Sequence, residues 1–253
     1  EVVRKVIRDA DECDMGEPED PPYISSLLDP EGDHNCYFVV GDPIHGPVER
    51  IGVVSAMLMA HSLVLRRVLS SQETELSERW DITITDMQPK VFKNVLRYAY
   101  GYNKIRKHSM MDAVDLLRVS NRLVMQPLQV EVIEHIINIL NPNSVCLALQ
   151  HPICLQVSTV EMAIAKVIRN STLMVMSSPN FHQICPIGMR YIVLLESLPV
   201  SQAQVWCAVV KWARRKVQTE RLPVDMDQLD TYIQPKLIVP RLKHLRLCAL
   251  NVV

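Results

Sequence analysis

Residues 82–105, ITITDMQPKVFKNVLRYAYGYNKI, decide how this chain is read. The stretch opens with alternation, Ile82 and Ile84 facing one way and Thr83 and Thr85 the other, the period of a half-buried strand. Asp86 stands where a helix N-cap would, and Pro89 falls early in the helix that follows, where a missing N–H costs little. Val91, Phe92, Val95, Leu96, Ala99 and Tyr100 then recur at the spacing of one apolar helical stripe, and Gly101 supplies a stop. These signals specify local structure. They say nothing yet about function.

Working towards the N-terminus, SAMLMA and HSLVLRRVLSS read as two consecutive helices, with Leu65, Val68 and Leu69 of the second sharing a face and Leu63 and Val64 flanking it. Before them, residues 36–40 (CYFVV) read as a buried strand, GDPIHGP as a two-proline turn, and residues 49–54 (ERIGVV) as the returning partner. Residues 23–29, YISSLLD, form a short amphipathic helix closed by Pro30 and Gly32. Towards the C-terminus, Ser109 is placed to cap a helix whose inward stripe is Ala113, Leu116, Leu117 and Ser120. Residues 126–140 are apolar on two sides, Leu128, Val132, Ile136 and Ile139 on one and Val130, Ile133, Ile137 and Leu140 on the other, which predicts a helix sandwiched between neighbours. Asn141-Pro142 marks a boundary, and from there only helices are expected.

Composition narrows the classes. The 253 residues leave room for one large domain or two ordinary ones, and 48% hydrophobic against 22% charged residues supports a packed core. Seven glycines against 12 methionines point to a helical chain, and a net charge of −1 argues against nucleic-acid binding through bulk electrostatics. No apolar run approaches the roughly 18–20 residues that span a bilayer, and charges interrupt the opening EVVRKVIRDADE, so neither a membrane segment nor a signal peptide is expected. Seven cysteines, an odd number scattered through apolar segments, suit reduced thiols in the cytosol or nucleus. Residues 1–22 read as an acidic, flexible segment. As a calcium loop counted from Asp9 they fail, because the glycine is misplaced and the last ligand position holds Asp20 rather than Glu.

The order of helix, hairpin, two helices, strand and helix carries a family resemblance. A strand ending Ile-x-Ile-x-Asp-Met, then Pro-x-x-Phe-x-x-x-Leu-x-Tyr-x-Tyr-Gly, resembles the second half of a BTB/POZ domain. NCYFVVG is similar to that family's first strand, and Leu58, Ser62, Val64, Leu65, Val68 and Leu69 match its paired helices. The family has an Asp at the start of the first strand and a basic residue opening the first paired helix; here these positions are Asn35 and Ser55, and the usual His is Val54. Losing both charges together avoids stranding one of them, buried and unpaired. Beyond residue 140, Asn143-Ser-Val, Ile168 with Asn170, FHQI at Phe181, and Trp206, Ala208, Val209 and Trp212 resemble the BACK module that follows BTB in many adaptors. The family's usual Glu is missing from the Gln202–Gln204 region.

The resemblance implies an α+β chain: an acidic segment at 1–22, a BTB/POZ domain at 23–125 with a small sheet flanked by helices, and an all-α BACK domain at 126–253, of which 126–140 is a linking helix. It implies a non-catalytic adaptor that dimerises and delivers an unidentified protein substrate to the cullin-3 ubiquitin ligase; the alternative is an oligomerising scaffold that binds no cullin. A dimer face is expected at Ile24, Leu27, Leu28, Met57, Met59 and Ala60, set against the plainer reading of core positions. A cullin surface is expected at Leu69, Glu75, Leu76, Glu78, Tyr100 and Tyr102, where Leu76-Ser-Glu78 supplies the family's hydrophobic-x-Glu triplet; an ordinary solvated acidic loop is the alternative.

Chemistry finds little footing. Two His-x-x-Cys pairs, His151/Cys154 and His182/Cys185, offer four zinc-ligand types, but proline punctuation and the long gap between them favour chance. No phosphate-cradling glycine loop, Gly-x-Ser-x-Gly or catalytic cysteine signature occurs. Neither catalysis nor a cofactor is expected, and the partners are proteins rather than nucleic acid or membrane.

Overall fold

The computed structural model describes residues 21–29, 32, 34–44, 46–72, 80–102 and 105–219. The acidic residues 1–20, the loop residues Glu75, Leu76 and Glu78, and residues 220–253 lie outside the described residues. Among the described residues two compact units are distinguished, one drawn from those within 21–60 and 68–102 and the other from those within 61–67 and 105–219.

The first unit is built on three strands, β1 (Cys36–Val40), β2 (Glu49–Val53) and β3 (Trp80–Ile84), in the order β2-β1-β3. β2 pairs antiparallel with β1, setting Cys36 against Val53, while β3 pairs parallel with it, setting Cys36 against Trp80 and Val40 against Ile84. A parallel neighbour needs a crossover, and here the chain makes it through α2 (Ser55–His61) and α3 (Leu63–Gln72). Cys36, Tyr37, Phe38 and Val40 of the central strand are buried and Val39 is half-buried, in keeping with its unbroken apolar run.

α1 (Pro22–Leu28) begins at a proline, whose missing N–H falls among donors a helix start leaves unpaired anyway. α4 (Pro89–Ala99) buries Val91, Phe92, Val95, Leu96 and Ala99, the predicted stripe. Phe92 meets Phe38 of β1 with ring centroids 5.0 Å apart and tilted by 44°, an aromatic pair worth about 0.5–1.5 kcal/mol beyond its buried area. Asp86 does not cap this helix. Gln88 holds the N-cap position without a side-chain bond, because Pro89 fixes the first helical φ and the helix starts there. At the other end Gly101 takes a φ of 83°, and the N–H groups of Gly101 and Tyr102 donate to the carbonyls of Tyr98 and Arg97. This is the six-to-one, five-to-two closure that glycine favours.

α3 departs from its predicted face. Leu65 and Leu69 are buried, but Val68 and Leu63 are exposed. The helix buries the narrow seam of Leu65 and Leu69 rather than the broader face.

In the second unit, Ser109 caps α5 (Met110–Arg122) by accepting from the Asp112 N–H, and its hydroxyl donates to the Asp112 carboxylate. Ala113, Leu116, Leu117 and Ser120 are buried as expected. α6 (Gln126–Ile139) packs on α5 and also meets α9 (Ser158–Asn170). Its Leu128, Val132 and Ile136 are buried and Ile139 beside them half-buried, whereas on the other side Ile133, Ile137 and Leu140 are half-buried and Val130 is exposed, so the two-sided apolar pattern is covered much more on one side. The remaining helices are α7 (Ser144–Ala148), α8 (Ile153–Gln156), α10 (Thr172–Ser177), α11 (Pro186–Leu194) and α12 (Gln202–Thr219). Buried Trp212 of α12 donates its indole N–H to the Ile184 carbonyl at 2.9 Å. Only helices occur among the described residues after 140.

Candidate interaction surface

Asn35, just ahead of β1, and Ser55, the first residue of α2, face each other across two hydrogen bonds. The Asn35 amide donates to Ser55 Oγ at 2.7 Å, and its Oδ1 accepts the Ser55 backbone N–H at 2.9 Å. The second bond satisfies one of the N–H groups that a helix start leaves without an intrahelical partner. A neutral amide and hydroxyl therefore make a closed polar contact.

The outer face of the sheet carries an arrangement that sequence reading missed. The Arg50 guanidinium lies 3.7 Å from the centroid of the Tyr37 ring and reaches across it to Asp81, with Nη2 to Oδ1 at 2.8 Å. Three strands are thereby tied side by side, β2 through Arg50, β1 through Tyr37 and β3 through Asp81. That hydrogen bond holds the Asp81 carboxyl below the usual carboxylate range and the Arg50 guanidinium above its own. Both side chains are exposed, so the value lies in fixing the face rather than in stability. The signal was in the register: Tyr37 pairs with Asp81, while Arg50 sits opposite Val39, one diagonal away. Beneath one end, His34 is buried against Gly52, where any Cβ would collide with the imidazole, and its Nε2 meets the Asp29 carbonyl at 2.6 Å.

Of the residues expected at a dimer face, Ile24 is fully buried within its own chain and serves that packing. Leu27, Leu28 and Met59 are half-buried, and Met57 and Ala60 are exposed. Of those expected at a cullin surface, Leu69 is fully buried, so it holds α3 in place instead of meeting solvent. Tyr100 is buried as well, its hydroxyl accepting the Val54 N–H at 3.2 Å, and burial pushes its phenol upward against that bond. Tyr102 is half-buried. The resemblance put Tyr100 at a surface, whereas the apolar stripe to which it belongs is a core stripe.

The thiols are quiet. Cys36, Cys146 and Cys154 are free and buried; burial pushes the first two up to about 11 and Cys154 to about 12, with the charge of Asp81 adding at Cys36 and that of Cys185 at Cys154. Cys185 caps α11 through Sγ, which accepts the Gly188 N–H at 3.3 Å. Among the described residues no three His, Cys, Asp or Glu side chains gather as a metal site, and the two His-x-x-Cys pairs do not combine into one. No described helix is long and apolar enough to cross a membrane.

The comparisons with known proteins agree with this geometry. A family model described as the BTB/POZ domain matches residues 25–140, a span that runs through α6. Over 120 residues, 47% of this chain, the sequence is 25% identical to the BTB and MATH domain-containing protein 40 of Caenorhabditis elegans, and that match covers 30% of the relative. The chain thus spans less than a third of the length of the curated relative it matches. The matched family is generally a non-catalytic module whose members commonly dimerise and bind other proteins, and no enzymatic family is indicated. The β2-β1-β3 sheet, its parallel crossover through α2 and α3 and the matched span together identify residues 25–140 as a BTB/POZ domain, a protein-interaction module.

Proposed function

We propose that this chain is a substrate adaptor of a cullin-3 ubiquitin ligase, dimerising through its BTB/POZ domain and holding a protein substrate through residues outside it. The observation that carries the reading is the BTB/POZ match at 25–140 followed directly by the helices α7 to α12. Those helices keep the BACK-like positions Asn143, Ile168, Phe181 and Trp212, and in adaptors such a module extends the cullin surface. In this reading the Leu76-Ser-Glu78 triplet supplies the apolar anchor and the acid, and Tyr102 extends the surface. Met57, Met59 and Ala60 on α2, with Leu27 and Leu28 on α1, form the dimer face, and methionines suit a surface that adapts to its partner. The odd cysteine count, with the described cysteines free, favours work in the cytosol or nucleus.

Titration calorimetry against the N-terminal region of cullin-3 tests this. Saturable binding is expected, weakened by more than ~1 kcal/mol in Leu76→Asp and in Glu78→Lys. No heat of binding at any practical concentration removes the cullin role. A second reading, an oligomerising scaffold without ligase engagement, is favoured by one specific observation: Leu69 and Tyr100 are buried, so less of the expected cullin surface faces solvent.

A further inference from the structure

We propose that β3 is a pairing edge for a second copy of this chain, the two strands running antiparallel about Ile82. The order β2-β1-β3 leaves β3 at one end of the sheet, and among the described residues β1 is its sole strand partner. The direction of its backbone groups follows from a single bond. Ile84 O accepts the Gly41 N–H at 2.9 Å, so the Ile84 carbonyl faces β1. A strand turns the N–H and C=O of alternate residues to opposite sides, which sets those of Ile82 and Ile84 towards β1 and those of Asp81 and Thr83 towards the open edge. The other outer strand, β2, has α1 packed against it. Along residues 80–84, WDITI, no proline, lysine or bulge blunts the edge. The one charge there, Asp81, is already matched by Arg50 at 2.8 Å. Asp81 and Thr83 are exposed and Ile82 is half-buried.

The edge is complementary to itself, and that selects the occupant. Turned about Ile82, the five residues of β3 overlap in full. Asp81 then stands opposite Thr83 of the second copy, Ile82 opposite Ile82, and Trp80 opposite Ile84. Asp81 and Thr83, whose backbone groups face outwards, become the hydrogen-bonded pairs, and Ile82 meets its copy in the closer, non-bonded pair. On the outer face the Thr83 hydroxyl is a donor for the lone pairs that Arg50 leaves spare on the Asp81 carboxylate. No like charges are opposed, whereas a register centred on Asp81 would set two carboxylates face to face. A strand this short buries less than the roughly 1,200 Å² of a stable complex, so the pairing is a weak, concentration-dependent step. It uses neither the expected dimer face nor the expected cullin surface, and it stands apart from the adaptor reading.

Sedimentation velocity of the full chain over a wide concentration range tests the edge. A reversible doubling of mass is expected at the upper end. Thr83→Pro removes an outward N–H and no ladder bond, a change that edge strands accept. It should move the doubling at least about tenfold higher in concentration, and a melting temperature close to the parent's shows that the sheet survives. Ile82→Cys leaves the backbone donors in place. Under mild oxidation it should give a disulfide between the introduced thiols of two copies, seen by peptide mass mapping, because directly opposed non-bonded positions lie within disulfide reach. Loss of the BTB/POZ dimer would lower the starting mass without removing the doubling, so the two failures read apart. A parent whose mass never doubles, doubling that Thr83→Pro leaves untouched, or an introduced thiol at position 82 that links only to native cysteines overturns the proposal.

Discussion

Asn35 grips Ser55 from both sides, its amide donating to the hydroxyl at 2.7 Å and its carbonyl accepting the backbone N–H at 2.9 Å. The pair is neutral, and its two bonds join side chain to side chain and side chain to backbone. Ser55 is buried, so this pair also decides how α2 starts.

Asn35→Ala removes the acceptor of that first N–H and the donor to the hydroxyl together. A loss of about 1 kcal/mol is expected, the usual cost of a missing helix cap, read as a lower denaturation midpoint at unchanged slope. A variant as stable as the parent would show that water replaces the contact at no cost.

The two helix ends closed by left-handed residues predict opposite signs. Val124→Gly should stabilise by about 1 kcal/mol, because it removes a steric penalty from an exposed position. Gly101→Ala, at a φ of 83°, should destabilise by about 1–2 kcal/mol. Thermal melts of the two variants check the pair, and shifts of the same sign would refute the argument.

Gly52 is required by what lies over it. Any Cβ there meets the His34 ring, which is buried and held by the Asp29 carbonyl. Gly52→Ala should therefore cost about 1–3 kcal/mol through overpacking, and His34→Ala in the same chain should recover part of it. A purely additive pair of losses would mean the two positions do not interact.

The buried thiols give a pH signature. Cys36 and Cys146 are raised from 9.0 to about 11 and Cys154 to about 12, chiefly by burial. Each binds its proton more tightly when folded, so stability is undiminished below pH 9 and falls as pH rises from there towards 11–12. Alanine at Cys154 should flatten that alkaline limb. Among the described cysteines, exposed Cys207 should alkylate first at neutral pH, with Cys36, Cys146 and Cys154 protected until unfolding, as peptide mass mapping can check.

Much of the fold was legible because the signals were periodic. Val91, Phe92, Val95, Leu96 and Ala99 are all buried on α4, and residues 36–40 and 82–84, read separately as strands, pair directly in one sheet. Asp86 misled because an acidic residue before a helix resembles a cap, yet Pro89 sets the start three residues later. Leu63 and Val68 misled because apolar character does not say which part of a helix face is covered. The candidate surface was harder still. Tyr100 and Leu69 look like contact residues in sequence and are core residues in space. Arg50, Tyr37 and Asp81 come together only through a diagonal between strands that no local pattern records. Valine at 124 carries no stop signal, so the closure it makes was invisible.

We propose that this chain works by holding other proteins, beginning with its own copy, through the BTB/POZ domain matched at 25–140. Light scattering coupled to size exclusion, run on the full chain alone and with a cullin-3 N-terminal fragment, tests it most directly. The account predicts the mass of a dimer alone and a further rise when the fragment is added. A monomer that leaves the fragment's elution unmoved would contradict it.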